Sequence, residues 1–169
     1  MNIFSKNLKV RNRFLIASLL FFTGILFFLL GIGETGLIDE TPPLFASAGK
    51  AMSQSGDWIT PKVNGILRFD KPPFYYWLMA IIYSIPGNQN WDQLGSLSAR
   101  LPSALASLFL FLMLGDSILY HQKRSKYKSY LAIVGSLGFA LSPLVIIWSR
   151  TAVSDSLLCG TIGISLLLF

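Results

Sequence analysis

Residues 14–33 read FLIASLLFFTGILFFLLGIG, an apolar run without a single charged side chain. At about 1.5 Å per residue, a helix of this length spans about 30 Å, the thickness of the hydrocarbon core of a bilayer. The basic segment that precedes the run contains Lys6, Lys9, Arg11 and Arg13. A cleaved signal peptide has a similar basic leader, but its apolar run is shorter, about 7 to 15 residues. The length therefore favours an uncleaved first transmembrane helix.

The composition of the whole chain is typical of a membrane protein. Of the 169 residues, 53% are hydrophobic and only 13% are charged, whereas charged residues make up about 25% of an ordinary soluble domain. The single cysteine, Cys159, excludes an internal disulfide, and the single histidine, His121, excludes a multi-histidine metal site. The net charge of +6 comes from cations clustered beside apolar runs, which argues against nucleic acid as a partner.

Three further apolar runs predict an all-α integral-membrane domain with about four transmembrane helices in residues 1–169. These runs cover residues 101–120, 130–148 and 156–169. Pro143 predicts a kink in the second of the three. The last run would form a helix of about 21 Å, which is shorter than the hydrocarbon core. We therefore expect the chain to be the N-terminal portion of a longer membrane protein.

A second basic segment indicates how the chain is oriented. Residues 121–129 contain no acid and four cations, Lys123, Arg124, Lys126 and Lys128. The positive-inside rule places this loop and the basic N-terminus together in the cytoplasm. Because an even number of crossings must separate them, the short apolar run at residues 72–85 is predicted to be an interfacial helix. Residues 34–100 then form an outer loop that lies against the membrane.

Acidic residues occur at two positions that are both predicted at the outer membrane face. Asp39 and Glu40 follow the first helix after a short connector, and Asp155 precedes the last apolar run. Packing of the helices can bring Asp39 and Asp155 to one pocket, where carboxylates could serve as acids or bases. A helix N-cap is the alternative for Asp155, because an acid directly before an apolar run is also typical of a cap.

Lys71 is a candidate phosphate-binding residue. It stands before Pro72 and Pro73, which restrict the chain locally, and just ahead of the interfacial run. Its ammonium group is therefore expected at the depth of the lipid headgroups. It either extends to the phosphates of bulk lipid or holds the phosphate of a specific lipid-linked substrate.

Five sequence blocks in order resemble a known family. They are Asp39-Glu40, GDWITP at residues 56–61, Asn64-Gly65, FDKPP at residues 69–73 with Tyr76-Trp77, and ARLPSAL at residues 99–105. The series resembles the N-terminal part of the protein O-mannosyltransferase and aminoarabinose transferase superfamily. Its members are membrane glycosyltransferases of the C-type fold that take a sugar from a polyprenyl-phosphate carrier. The resemblance covers residues 14–169.

The resemblance implies the N-terminal part of a C-type fold, with membrane-parallel helices in the first outer loop. It implies that Asp39 activates the acceptor nucleophile, with Glu40 as its neighbour. It also implies that Asp155 faces the same cavity and that Lys71 contacts the carrier phosphate. The expected partners are a polyprenyl-phosphate sugar donor and a lipid or protein acceptor, at the outer face of a bacterial plasma membrane.

The chain departs from the family pattern directly after the acidic pair. Relatives often carry an arginine and a tyrosine there, whereas residues 41–45 of this chain read TPPLF. Either other cations hold the carrier phosphate or the donor pocket differs. The identity of the sugar therefore does not transfer from the family.

The sequence also bears on functions other than a glycosyltransferase. A non-catalytic membrane protein that binds polyprenyl lipid or a partner protein is the alternative. A channel or transporter would carry charges in mid-helix, whereas Asp116 lies near a cytoplasmic end beside the basic loop. A serine hydrolase is disfavoured because His121 is predicted on the opposite side of the membrane from Asp39 and Asp155. No metal or other cofactor is assigned, because a divalent ion needs more oxygen ligands than the carboxylate pair offers.

Overall fold

A computed structural model describes residues 3–69, 71–122 and 126–169, with side chains from Asn12 onward. Three residues that the sequence analysis used, Asp70, Lys123 and Arg124, lie outside the described residues. The elements in chain order are α1 (Ile3–Phe28), α2 (Thr41–Ser55), β1 (Lys62–Val63), β2 (Ile66–Leu67), α3 (Pro73–Tyr83), α4 (Asn88–Trp91), α5 (Ser96–His121), α6 (Lys128–Ala140), α7 (Pro143–Ser149) and α8 (Ser154–Leu168).

Helix α5 is the centre of a helix bundle, and α1 packs antiparallel to it. At one end of the pair, the guanidinium group of Arg13 forms an ion pair with the carboxylate of Asp116. At the other end, Gly33 lies so close to Leu97 that a Cβ on the glycine would stand 2.9 Å from the Leu97 Cβ. Asp116, which was predicted to lie beside the second basic segment, is thus paired with a residue of the N-terminal basic segment. The charged residues at the start of α1 and at the end of α5 therefore share one end of the bundle.

Helices α6 and α8 pack against α5 in opposite directions. Helix α6 is antiparallel to α5, because Ser136 stands near Gly115 and Ala140 belongs to one core cluster with Phe111. Helix α8 is parallel to α5. A Cβ on Gly160 would stand 3.0 Å from the Ala106 Cβ. The start of α8 therefore lies at the same end of the bundle as the start of α5 and the end of α1.

The lengths of the helices bear on how many of them cross a membrane. Within the described part of the chain, α5 is long and apolar enough to do so by itself. Helices α6 and α7 meet this requirement only as a pair, and they are bent by 65°. Pro143 begins α7 at this bend, so the kink expected at this proline is present. Helix α8 and the segment Asn12–Phe28 of α1 are apolar but shorter. The number of about four crossings stays a prediction.

The elements from α2 to α4 form the outer region, named after the outer loop predicted above, and this region packs on the bundle end where α5 begins. Helix α2 has two prolines in its first turn, where proline is tolerated. Gly56 directly follows the helix, and its φ of 72° is the left-handed conformation that glycine favours at a helix end. Gly49 allows α2 to approach α3 closely, since a Cβ there would stand 2.9 Å from the Met79 Cβ. Residues from α2, α3 and α5 form one core together with Ala152, which lies between α7 and α8. This core is called the outer cluster: Phe45, Ala46, Ala48, Met52, Tyr75, Tyr76, Met79, Ala80, Ala99 and Ala152.

A two-residue hairpin connects α2 to α3. Strands β1 and β2 pair in antiparallel register, with Lys62 opposite Leu67. Asn64 and Gly65 at the turn have φ values of 52° and 81°. Positive φ at both central residues is the geometry that an Asn-Gly turn between two strands favours. Asn64-Gly65, quoted above only as a family block, is thus the turn of this hairpin.

Helix α3 occupies the stretch for which an interfacial helix was predicted, and it is apolar on both faces. Tyr76 and Met79 are buried in the outer cluster, while Phe74, Trp77 and Ile81 are exposed. An exposed apolar face opposite a packed one suits a helix that lies between protein and lipid. Its orientation relative to a bilayer stays a prediction.

Candidate functional site

The acidic pair Asp39 and Glu40 lies at the end of the connector between α1 and α2. Both side chains are exposed, and Glu40 is the N-cap residue of α2 without a side-chain capping bond. Asp39 has a φ of 80°, a left-handed conformation that costs energy for a residue other than glycine, although aspartate tolerates it better than most. The Oδ1 atom of Asp39 accepts a hydrogen bond of 2.8 Å from the Glu40 N–H. One carboxylate oxygen of Asp39 thus holds the local turn.

Arg100 holds the connector from the side of α5. Its Nη1 atom donates to the carbonyl oxygen of Ile32 at 2.6 Å and to that of Thr35 at 2.9 Å. The Nη2 atom donates to the carbonyl oxygen of Gly36 at 2.8 Å. The side chain is buried, with 9% of the residue exposed. Three carbonyl groups ahead of Asp39 are therefore fixed by one planar guanidinium group.

Arg150, which follows α7, holds the end of α1. Its Nη1 atom donates to the carbonyl oxygen of Phe27 at 3.0 Å, and its Nη2 atom donates to that of Leu30 at 2.8 Å. The last carbonyl groups of a helix lack partners within the helix and carry partial negative charge, so a cation is favoured there. The Ser96 hydroxyl adds a bond of 2.9 Å to the carbonyl oxygen of Gly33.

Asp155 lies in the first turn of α8, where a carboxylate interacts favourably with the helix dipole. It is not the N-cap, which was the alternative considered for it, because Val153 takes that position and no side chain caps the helix. The Asp155 side chain is exposed. Its carboxylate is therefore accessible at the same bundle end as the connector.

A buried hydrogen-bond relay fixes the start of α8 to α3. The hydroxyl groups of Tyr75 and Ser103 are 2.8 Å apart, and Ser103 donates to the carbonyl oxygen of Val153 at 2.9 Å. Burial raises the pKa of Tyr75. The carbonyl group that the relay holds belongs to Val153, two residues before Asp155.

Lys71 lies two residues ahead of α3 and is exposed. Among the described residues it forms no ion pair with a carboxylate. Pro72 is the N-cap of α3, and Pro73 is its first residue. The ammonium group is thus attached to the helix that the relay connects to Asp155, and it is available for an anion.

The three candidate positions surround one core but do not contact each other. Leu37, two residues before Asp39, packs against the outer cluster, as does Leu157, two residues after Asp155. Tyr75, four residues after Lys71, belongs to the cluster itself. No hydrogen bond or ion pair joins two of these candidates in the described ranges. The structure therefore shows that the three positions lie at the same end of the bundle. Their roles stay predictions.

An apolar cavity of about 230 Å³ opens beside Asp155 between α5, α7 and α8. Its lining combines Asp155 and Ser156 with apolar side chains such as Leu144, Val145 and Trp148. The Ser156 hydroxyl is buried and has no hydrogen-bond partner in the described chain. The cavity offers apolar walls next to one carboxylate. No cluster of three His, Cys, Asp or Glu side chains occurs in the described ranges.

Arg100 and Arg150 were not predicted as parts of the site. Arg100 stood out only as a member of a family block, and Arg150 did not stand out at all. The available signal was an arginine at the edge of an apolar helix, where an unpaired charge is expensive and a nearby partner is expected. The sequence could not show that the partners are carbonyl groups of the connector.

The chain is similar to known proteins over most of its length. The family model for dolichyl-phosphate-mannose-protein mannosyltransferase matches residues 70–169. The undecaprenyl phosphate-alpha-4-amino-4-deoxy-L-arabinose arabinosyl transferase of Pseudomonas savastanoi is 26% identical over 148 residues, which cover 83% of this chain and 27% of that protein. A protein named as transferase 2 of the same kind, from Pseudomonas fluorescens, is 32% identical over 126 residues, 73% of this chain and 22% of that protein. The chain spans about a quarter of the length of these curated relatives.

Two solved structures have a similar arrangement of helices. ArnT from Cupriavidus metallidurans bound to undecaprenyl phosphate superposes with a TM-score of 0.72 at 21% identity, covering 89% of this chain and 26% of that one. The apo state of the same protein gives a TM-score of 0.67 at 20% identity, over 96% of this chain and 27% of that one. The expected mostly helical fold is therefore confirmed as an arrangement shared with ArnT.

Proposed function

Because the chain belongs to the dolichyl-phosphate-mannose-protein mannosyltransferase family, as its resemblance in sequence implied, we propose that it supplies part of a membrane glycosyltransferase. The proposed enzyme transfers a sugar from a polyprenyl-phosphate carrier to a lipid or protein acceptor. The relatives support this class of carrier, since they are named as undecaprenyl phosphate-alpha-4-amino-4-deoxy-L-arabinose arabinosyl transferases. So does the similarity to ArnT bound to undecaprenyl phosphate.

The observation that carries the proposal is that Asp39 and Asp155 lie at one bundle end, with an apolar cavity beside Asp155. In the proposed reaction, Asp39 accepts the proton of the acceptor hydroxyl as its oxygen attacks the anomeric carbon of the sugar. The new bond forms as the bond between the anomeric carbon and the phosphate oxygen breaks, and the polyprenyl phosphate leaves with the electron pair. A direct displacement of this kind inverts the anomeric centre.

The other candidates have supporting roles in this reaction. Lys71 stabilises the negative charge that develops on the departing phosphate. Glu40 and Asp155 add negative charge to the acceptor side, which favours protonation of nearby groups. We assign the first isoprenoid units of the carrier to the cavity beside Asp155, since its walls are almost entirely apolar.

The proposed location is a bacterial plasma membrane, with the N-terminus in the cytoplasm and residues 34–100 outside. Charge parity supports this orientation. So does the ion pair between Arg13 and Asp116, because it joins the N-terminal basic segment to the last part of α5, at the bundle end opposite Asp39. The exposed apolar side chains along α1, among them Phe14, Phe22 and Leu26, fit contact with lipid.

Sugar transfer by the natural gene product in its membranes tests the proposal. A radiolabelled polyprenyl-phosphate sugar is the donor, and Asp39→Asn is compared with the wild-type protein. Loss of a general base is expected to lower kcat by about 10²- to 10⁴-fold. Glu34→Gln is the matched control, since Glu34 is another exposed acid on the connector, and it should keep transfer within about twofold of the wild-type rate.

The outcomes separate the two candidate functions. Transfer by Asp39→Asn at the wild-type rate would refute the role of Asp39. A wild-type protein that binds undecaprenyl phosphate in vesicles, yet transfers no sugar from any polyprenyl-phosphate donor, would instead identify the non-catalytic lipid-binding alternative.

A further inference from the structure

We propose that Arg100 and Arg150 are positioning residues for Asp39. The proposal rests on the proposed function for its kinetic consequence, but its structural part can be tested without sugar transfer. In this view, the two guanidinium groups hold the connector between α1 and α2 so that the Asp39 carboxylate has one fixed place at the bundle end.

The first argument is the number of attachments ahead of Asp39. Arg150 binds the carbonyl group of Phe27 in the last turn of α1 and that of Leu30, two residues beyond the end of the helix. Arg100 then binds three carbonyl groups of the connector, and Leu37 is anchored in the outer cluster. After these attachments, Ile38, which is 78% exposed, is the last residue before Asp39. The position of Asp39 is therefore set by its connection to a held segment.

The second argument is the chemistry of the partners. Both guanidinium groups donate to carbonyl oxygens, and no carboxylate forms an ion pair with either of them in the described ranges. The Nε atom of Arg100 is buried and has no partner in the same ranges. A buried charge without a counter-ion is expensive, and an apolar side chain would often serve stability better. An arginine can instead fix the relative positions of several carbonyl groups, because its planar guanidinium group donates to all of them at once.

The third argument is the origin of the two arginines. Arg100 belongs to the start of α5, and Arg150 follows α7 and lies five residues before Asp155. The segment that carries Asp155 is therefore attached through Arg150 to the end of α1, from which the Asp39 connector starts. The two proposed acids are thus positioned against a common support.

The test measures the order of the connector directly. A nitroxide spin label is attached at Ile38→Cys in a Cys159→Ser background of the natural protein, and its mobility is recorded by electron paramagnetic resonance. Arg100→Lys keeps the charge but loses the fork, so the label should become several times more mobile, as for a loop released from its hydrogen bonds. Arg150→Lys is the second variant, since Arg150 is less buried and its replacement disturbs the core less.

Two controls distinguish positioning from a general loss of stability. A label at Asn64→Cys, on the hairpin turn, reports a site that neither arginine contacts. Arg13→Lys is the matched substitution at the opposite bundle end. Mobility that rises at residue 38 but not at residue 64, and only in the Arg100 or Arg150 variants, supports the proposal. An unchanged label at residue 38, or equal changes at both labels, would overturn it.

The kinetic readout tests the consequence for the reaction. Arg100→Lys should lower kcat by about ten- to a hundredfold without raising the KM for the donor, because a displaced base affects the chemical step. In an Asp39→Asn background the same substitution should have no further effect on kcat. A raised donor KM with unchanged kcat would contradict the positioning role. If the wild-type protein transfers no sugar, the proposed function fails, while the spin labels still decide whether the arginines order the connector.

Discussion

Ser103→Ala removes the central hydroxyl of the relay that attaches the start of α8 to α3. In the wild-type protein this hydroxyl is 2.8 Å from the Tyr75 hydroxyl and donates to the Val153 carbonyl oxygen at 2.9 Å. The substitution breaks both hydrogen bonds, and Val153 is buried, so its carbonyl oxygen cannot recover the lost donor from water. We expect the free energy of unfolding to fall by about 1–3 kcal/mol.

The stability lost in Tyr75→Phe can be compared with the stability lost in Ser103→Ala. Tyr75→Phe removes the tyrosine hydroxyl, which also donates to the Ala99 carbonyl oxygen at 3.2 Å. It leaves the bond from Ser103 to Val153 in place, so its cost should be smaller, about 0.5–1.5 kcal/mol. In the double variant, the two costs should fall short of additivity, because the bond between the two hydroxyl groups is lost only once. The relay therefore predicts that Ser103→Ala is less stable than Tyr75→Phe, and it also predicts the size of each loss in the free energy of unfolding.

Thermal unfolding of the purified protein in detergent measures these differences. Ser107→Ala is the matched control, since Ser107 is also buried on α5, one turn beyond Ser103, and lies outside the relay; we expect a change within about 0.5 kcal/mol. A Tyr75→Phe variant that is less stable than Ser103→Ala, or an additive double variant, would refute the relay as the attachment of α8.

Two further predictions concern the outer region. Gly49→Leu should lower the free energy of unfolding by about 1–3 kcal/mol, because the new side chain collides with Met79 where α2 meets α3. Gly138→Ala, where a Cβ would meet nothing within 4 Å, should be neutral or slightly stabilising in the same thermal measurement; equal losses at both glycines would contradict the packing argument. The N–H of Thr60 holds the pKa of Asp57 in the folded protein below its usual value of 3.8. The ionised Asp57 carboxylate therefore stabilises the folded protein above pH 3.8. This stabilisation is lost as the pH falls through the lower pKa of the folded state. The melting temperature of Asp57→Asn should therefore lie below that of the wild-type protein at pH 7 and approach it in acid, and a gap that stays constant below pH 3.8 would contradict the cause.

The long apolar runs could be identified from the sequence because a segment that crosses lipid must be continuous and must satisfy its own backbone hydrogen bonds. Helix α5 covers the run expected at residues 101–120 but begins five residues earlier, at Ser96. Ser96 and Ser98 in its first turn are buried by hydrogen bonds to the residues before α2 and around α4. Because they are polar, they give no apolar signal in the sequence. Helix α1 ends at Phe28, before the apolar run ends, because Gly31 turns the chain with a φ of 70°.

Helix α2 and the hairpin were harder to predict because their packing partners lie far away in the chain. Phe45 and Met52 form a buried stripe on α2, but the small residues between them give a weak apolar period. Two-residue strands carry no alternation to recognise. The hairpin depends on the Asn64-Gly65 turn, whose meaning becomes specific only when both flanking strands are known.

The candidate acids were found from their positions beside apolar runs, whereas their support was not. Asp39 and Asp155 could be placed at one membrane face by charge parity alone. The bonds from Arg100 to Thr35 and from Arg150 to Phe27 join residues that are 65 and 123 positions apart. Contacts of such range leave no local pattern, so a three-dimensional arrangement was needed to show them.

The central claim is that Asp39, Lys71 and Asp155 face one aqueous compartment outside the membrane. Labelling with a membrane-impermeant thiol reagent in intact cells tests it most directly, with Asp39→Cys, Lys71→Cys and Asp155→Cys made singly in a Cys159→Ser background. Gln122→Cys, exposed at the opposite end of the bundle, is the control. We predict that the first three thiols react in intact cells and that the fourth reacts only after permeabilisation. Reaction at only one of the two aspartate positions would contradict the account, because the proposed acids could then not share a site.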